Sequence, residues 1–305
     1  MTGTIVTEPV AGPGRAAGAA AAGRVVLTIG ALTLREAARR KVLRALAVLT
    51  LVLLALSAWG FAKLGGFQAE FGELTSGEAR LVASQLLNLM MFGLSMIAAL
   101  GTAFLAGPTL GGEIESGMAL SMLARPVPRF AVLLGKWLGL VGCGAGFVTV
   151  AGLAQFVIVQ LTVGYWPPEP VLGLALLAAQ TAVLLTLGLL LSTLVSPMAS
   201  GIVAVGLFGA AWIAGVVGGV GAALGNDGVA RVGTISQILL PTDGLWRGAM
   251  HAFQQPGVLA RFGKEMAGFP FLSPAPLAPA YLLWVLVWVL VVLGLAALSF
   301  RRRDL

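Results

Sequence analysis

Residues 113–136 read EIESGMALSMLARPVPRFAVLLGK, a charged stretch set between two long apolar runs. Glu113 and Glu115 open it, apolar residues follow at Ile114, Met118, Leu120 and Leu123, and Arg125-Pro126-Val127-Pro128-Arg129 closes it. A helix over 110–125 would place both acids near its N-terminus and Arg125 at its C-terminus, matching the two ends of the macrodipole. Pro126 cannot continue that helix, and it biases Arg125 away from helical geometry. The expectation is a short amphipathic helix and a sharp corner, leading straight into a membrane span from about Phe130. An element of this kind suits a membrane protein that grips a soluble partner.

The flanking runs fix the class. Of the 305 residues 58% are hydrophobic and only 10% charged, and the mean hydropathy is +0.97. Soluble chains carry roughly a quarter charged residues. Apolar runs of ~20 residues are long enough to cross a hydrocarbon core of ~30 Å. Six such spans are predicted, the third starting near Phe130 and the others at about 42–61, 86–105, 171–195, 198–220 and 281–300. The fold class is therefore all-α and polytopic, a single six-helix domain over 24–305 with both termini cytosolic. The net charge of +7 does not indicate nucleic acid, because the basic residues cluster at the ends of apolar runs, as membrane topology requires. Cys143 and His251 are each the only residue of their type, which leaves no disulfide framework and no thiolate or imidazole metal cluster.

Outward from the central stretch, each flank carries its own signal. Residues 1–23 are Gly, Ala and Pro with few large side chains, and they read as a disordered cytosolic tail. Arg35, Arg39, Arg40, Lys41 and Arg44 gather before the first span, with Leu27, Leu32, Leu34 and Val42 as an apolar side. This reads as an interfacial helix on the cytoplasmic leaflet, or as a plain positive-inside flank. Residues 62–85 are expected as a polar outside loop. In the second span Asn88 either lines a pathway or bonds a neighbouring helix. Gly135, Gly139, Gly142 and Gly146 fall on one face of the third span, for close helix packing within the chain or for a dimer seam. The many glycines of the fifth span make kinks or half-helices an expectation there. Residues 225–280 are read as a long extracytoplasmic region. It carries a helix from Thr242 or Asp243 to Phe253, interfacial or re-entrant, with Arg247 and His251 among its polar positions. Arg301-Arg302-Arg303 closes the last span on the cytosolic side.

Catalytic motifs are missing from this sequence. Gly135-Lys136 resembles the end of a P-loop, but Phe130 stands in the place of the first glycine and Trp137 in that of Ser/Thr, so there is no phosphate cradle. The spans are nearly free of ionisable residues, which argues against a proton- or sodium-coupled carrier.

Three stretches together resemble a known family: LTLREAARRKVLRAL (Leu32–Leu46), EIESGMALSMLARPVPRFAVLLGKWLG (Glu113–Gly139) and LLPTDGLWRGAMHAF (Leu239–Phe253). In this order they look like the connecting helix, the coupling segment and the late loop of permease subunits of the type-2 ABC exporters, in the branch that includes multicopper-enzyme-maturation permeases. The resemblance implies a half-transporter in the cell membrane, such as a bacterial inner or cytoplasmic membrane. It would form a homodimer, or a dimer with a similar permease. A separate ATP-binding subunit would hold ATP and Mg, this chain binding no cofactor and no metal itself. Carried over by position, Glu113, Glu115 and Ser116 would face the ATPase docking groove, while Arg125, Pro126 and Arg129 would hold the helix (coupling segment 110–130) against the membrane. Sparse span polarity suits a hydrophobic or amphipathic cargo. A membrane scaffold that passes ATP-driven motion to an extracytoplasmic partner, without moving a solute, stands as the alternative.

Overall fold

A computed structural model of the protein describes residues 15–71, 76–115, 129–256 and 269–302. Its regular elements are α1 (Arg15–Arg39), α2 (Lys41–Phe71), α3 (Ser76–Glu115), α4 (Arg129–Val163), α5 (Pro170–Ser192), α6 (Pro197–Ala223), α7 (Asp227–Leu239), α8 (Thr242–Phe253) and α9 (Pro279–Arg302). There is no strand among the described residues. Six helices contain stretches long and apolar enough to cross a membrane: Lys41–Lys63, Arg80–Thr109, Phe130–Val163, Pro170–Ser192, Pro197–Ala223 and Pro279–Arg301. The protein is thus an all-helical, multi-pass membrane protein, with the six spans where the apolar runs place them.

The six helices form one up-and-down bundle. Leu46 packs on Gly101 and Leu53 on Gly93, so α2 and α3 are antiparallel. Gln155 of α4 donates to Ser57 of α2, and Met91 of α3 meets Gly152. Phe208 of α6 packs with Ala99 and Leu184. The bundle has a proximal end, where α2 begins and α9 finishes, and a distal end, where α4 finishes and α5 begins. Several polar residues inside it bond across the bundle: Ser95 donates to Gln180 Oε1 (2.8 Å), Trp137 to Thr186 (2.8 Å), and Asn88 to the Phe271 carbonyl (3.3 Å). Asn88 is buried, and its contact is with the chain leading into α9 rather than with a neighbouring helix.

Several expectations are corrected. The helix of the second span does not stop near Leu105; it runs to Glu115. Glu113 and Glu115 therefore close a 40-residue helix instead of opening a short one, and sit at its dipole-unfavourable end. Pro108 lies inside this helix without ending it. The expected loop over 62–85 is mostly helix, since α2 reaches Phe71 and α3 starts at Ser76. Helix α1 begins at Arg15, within the stretch read as tail. The glycines of the fifth span leave α6 one helix from Pro197 to Ala223. Ser116, Arg125 and Pro126 lie outside the described residues.

Helix α1 packs lengthwise and parallel on α4. A Cβ at Gly135 would meet the Val26 carbonyl and the Ile29 side chain at 2.8 Å, and one at Gly139 would meet the Gly30 carbonyl at 2.5 Å. Two of the four predicted packing glycines thus seat α1 within the chain, whereas Gly142 and Gly146 face open space. The apolar residues assigned to the membrane side of α1, Leu27, Leu32 and Leu34, point outward. Arg35 and Arg39 are exposed, and Arg40 pairs with Glu36 at 2.6 Å.

Candidate functional site

The segment after α6 does not stay outside the bundle. Gly225, at φ +68°, turns the chain, and the Asn226 side chain caps α7 by accepting from the Val229 amide (3.2 Å). Helix α7 then descends antiparallel to α6. Gly221 faces Val229 and Ala230, and Gly218 faces Gly233 backbone to backbone. The turn at Leu240-Pro241 lies beside Leu207 and Ala211. At a rise of ~1.5 Å per residue, that is about 18 Å below the Ala223 end of a helix roughly 40 Å long. Helix α8 climbs back along α5. Gln180 donates to the Thr242 carbonyl (3.2 Å), Gly248 packs on Leu176, and Gly173 receives the Phe253 ring. Residues 227–253 therefore form a helical hairpin whose tip reaches nearly halfway along the bundle. Of the two readings of Thr242–Phe253, interfacial or re-entrant, the hairpin has the re-entrant shape.

Such a tip exposes helix ends in a medium with no water to satisfy them. The last carbonyls of α7 are bonded instead by α9. Tyr281 donates to the Gln237 carbonyl (3.0 Å), Trp284 to that of Ile238 (3.2 Å) and Trp288 to that of Leu239 (2.8 Å). The three donors stand at i, i+3 and i+7, on one helical face. At the other end of the hairpin the Tyr165 hydroxyl donates to the Phe253 carbonyl (2.7 Å) and the Glu169 amide to that of Ala252 (3.1 Å). Burial pushes the Tyr165 phenol up, against a smaller opposing hydrogen bond with Ser84, so it remains a neutral donor. Replacing Trp288 or Trp284 by Phe keeps the ring and leaves a helix-end carbonyl without its donor away from water, a loss of about 1–3 kcal/mol each. Thermal unfolding of the two variants in detergent is the check, and an unchanged midpoint in both would refute this capping role.

The first turn of α8 carries an ion pair. Asp243 is 3% exposed, and its Oδ2 accepts from Arg247 Nε (2.8 Å) and Gln237 Nε2 (2.9 Å). Arg247 also donates to the Gly215 carbonyl (2.6 Å). Gly215 is the residue that admits the carboxylate, since any Cβ there would overlap it. The pair lies about 12 Å below the end of α6. Asp243 Oδ1, Thr242 Oγ1 and Trp246 Nε1, all on this turn, are buried without a partner among the described residues. The Trp246 ring packs on Phe92 (5.4 Å), which also meets Trp212 (4.8 Å) and Phe271 (5.5 Å). These rings touch one another, so they form a packed wall and not an open cage. His251 Nδ1 and Gln254 meet the Ser273 carbonyl, which ties the hairpin to the chain before α9.

From the sequence Arg247 is placed in an outside region and Asp243 is marked only as a helix start, with no sign of the ion pair or of the parts played by Gln180, Ser95 and Gly215. The available signal was the i, i+4 spacing of Asp243 and Arg247 together with an apolar α8, which marks a helix able to bury its charges as a pair. Of the predicted coupling residues, Glu113 and Glu115 end α3 and Arg129 begins α4 at the opposite, proximal end, while Ser116, Arg125 and Pro126 lie outside the described residues. Beyond the contacts of α2 with Gly101 and Cys143, α3 continues to Glu115 and α4 reaches back to Arg129. Both extensions are about 21 Å long. Lys136, buried between them, donates to the Thr109 carbonyl (2.9 Å). It is part of helix α4, not of a phosphate loop. Among the described residues no three His, Cys, Asp or Glu side chains gather as metal ligands. No family model and no curated protein matches the chain.

Proposed function

We propose that this chain is the permease subunit of an ATP-binding cassette exporter, working as a dimer in a cell membrane and moving a hydrophobic or amphipathic substrate. A separate ATPase holds ATP and Mg and docks on the segment that joins α3 to α4. One observation carries this reading. Helix α3 touches the hairpin directly through Phe92 and is linked to it from Ser95 by way of Gln180 of α5, and about 32 Å beyond Phe92 along the same helix it ends at Glu113 and Glu115. A push at the proximal end reaches the hairpin through one continuous helix that packs on α4, α5 and α6. In this reading the proximal end is cytosolic, which also puts Arg35, Arg39, Arg40 and Lys41 of α1 beside anionic headgroups.

The first test is co-purification with candidate ABC ATPase subunits of the same cell, followed by ATPase assay with and without this chain. A complex of permeases and ATPases with altered turnover is expected. If no ATPase binds the folded protein, the docking role falls. The second is charge reversal, Glu113→Lys with Glu115→Lys. Lysines at the end of α3 suit its dipole, so expression should hold. ATPase binding should weaken by about tenfold or more, as for loss of interfacial charge pairs worth ~1.5 kcal/mol or more. Full coupled activity in that double variant would remove both acids from the interface.

A further inference from the structure

We propose that the cleft between α6 and α7 seats one acyl chain of a membrane phospholipid, with Arg231 holding the phosphate. The two helices touch backbone to backbone at Gly218 and Gly233 and part toward the hairpin tip. The wedge left between them has a volume of about 400 Å³ and is walled by Leu207, Ala210 and Ala214 on one side and Val232, Ile235 and Leu239 on the other. Ser236 is its single polar lining residue. A methylene takes about the space of one liquid water, ~30 Å³, so the wedge holds a dozen or so, most of one fatty acyl chain. It lies between about 8 and 24 Å below the distal end of α6, at the depth of acyl chains and not of headgroups.

Charge marks which molecule fills it. Arg231 is exposed, stands one helical turn above Ile235 at the outward edge of the wedge, and makes no ion pair or hydrogen bond among the described residues. Its side chain leans toward the N-terminus of α7, away from the apolar walls and toward headgroup level, where a guanidinium binds phosphate oxygens bidentately. A helix of a second copy, ~10 Å across, is too wide for a wedge whose walls meet at one end. A chain one methylene wide is not. The inference requires only that the bundle spans a bilayer, so it stands or falls separately from the ATPase-driven reading.

The test uses the full chain in vesicles of phosphatidylcholine containing phosphatidylglycerol with a photoreactive diazirine on its acyl chain, with labelled peptides mapped by mass spectrometry. Labelling concentrated on 207–214 and 232–239, above that of the exposed α2 face around Val48–Val52, is expected. Arg231→Glu should lower phosphatidylglycerol labelling there about fivefold, the equivalent of the ~1 kcal/mol that a basic residue gains near anionic headgroups. Labelling by a phosphatidylcholine probe, whose phosphate is offset by its choline cation, should fall less in that variant than labelling by the phosphatidylglycerol probe. Ala210→Trp, or Val232→Trp on the opposite wall, should abolish both signals. Labelling no higher than on α2, or unaffected by both tryptophans, overturns the proposal. Disulfide linkage of two copies through Ile235→Cys, with the wedge unlabelled, overturns it in favour of a second copy as the occupant.

Discussion

Arg247→Met should destabilise the protein by about 3–5 kcal/mol, because it removes one partner of a buried ion pair and leaves the other charged. Asp243 is enclosed by Gly215, Gln237 and the first turn of α8, with its side chain 1% exposed, against 18% for Arg247. Without the guanidinium, only the Gln237 amide still bonds the carboxylate among the described residues. The Gly215 carbonyl loses its donor in the same step. The destabilisation is therefore larger than an exposed i, i+4 pair implies, since such pairs contribute only ~0.3–0.5 kcal/mol. Removing both charges, Asp243→Leu with Arg247→Met, should recover most of the loss, because a buried ion pair and an apolar replacement of similar volume are often near equal. The measurement is thermal unfolding of wild type, Arg247→Met, Asp243→Leu and the double variant in detergent, read as a double-mutant cycle. A single Arg247→Met variant as stable as wild type would refute a buried pair at the hairpin tip.

Gly218→Val should pull the hairpin off the bundle. A Cβ at Gly218 would lie 2.5 Å from the Gly233 Cα and 2.7 Å from its amide nitrogen. Both are backbone atoms, so no rotamer change relieves the overlap, and α6 and α7 must separate. Overpacking of this kind costs about 1–3 kcal/mol or more. Here the separation also stretches the bonds from Tyr281, Trp284 and Trp288 to the end of α7. A control lies on the same helix. Gly206 and Gly209 have nothing within 4 Å of a Cβ, so Gly→Ala there should be neutral or stabilising by up to ~1 kcal/mol from helix propensity alone. Cysteine accessibility at position 240, buried in the hairpin turn, distinguishes the outcomes. A Leu240→Cys reporter should become reactive with Gly218→Val and remain protected with Gly209→Ala. Equal protection in both would mean that the glycine contact does not hold the hairpin in place.

The spans were legible because each is a long run whose apolar side chains face lipid or other helices. Either environment selects the same residue types, so composition alone locates them. The helix ends were less legible. Glu113 and Glu115 look like a helix start, since acids favour a first turn. Yet the main chain of α3 passes Gly107, Pro108, Gly111 and Gly112 without breaking, because packing outweighs propensity. At Gly107 the absent side chain leaves room for Pro197 and Ser200 at the start of α6. The glycine stripe of α4 suggested a close-packing face, but only Gly135 and Gly139 have a close neighbour among the described residues, and its identity was not readable from the sequence. Gly135 and Gly139 take α1, while Gly142 and Gly146 take nothing among the described residues. A stripe of small residues states that something approaches and is silent about what.

By itself, then, the sequence determined an all-helical chain with six apolar runs long enough to span a membrane, basic clusters at the ends of several of them, and no phosphate-binding loop of its own. Those properties depend on residue type and local spacing. Only the tertiary structure decided that 227–253 folds back into the bundle. Segments of 13 and 12 residues are too short to cross a bilayer, and with an acid and an arginine in each they read as part of an outside region whose second helix could lie at the interface or re-enter. They become buriable only when Arg247 neutralises Asp243, Gly215 makes room for the carboxylate, and α9 satisfies the last carbonyls of α7. Each of those partners lies on a different helix or a different turn, and no local pattern in the chain records that they meet.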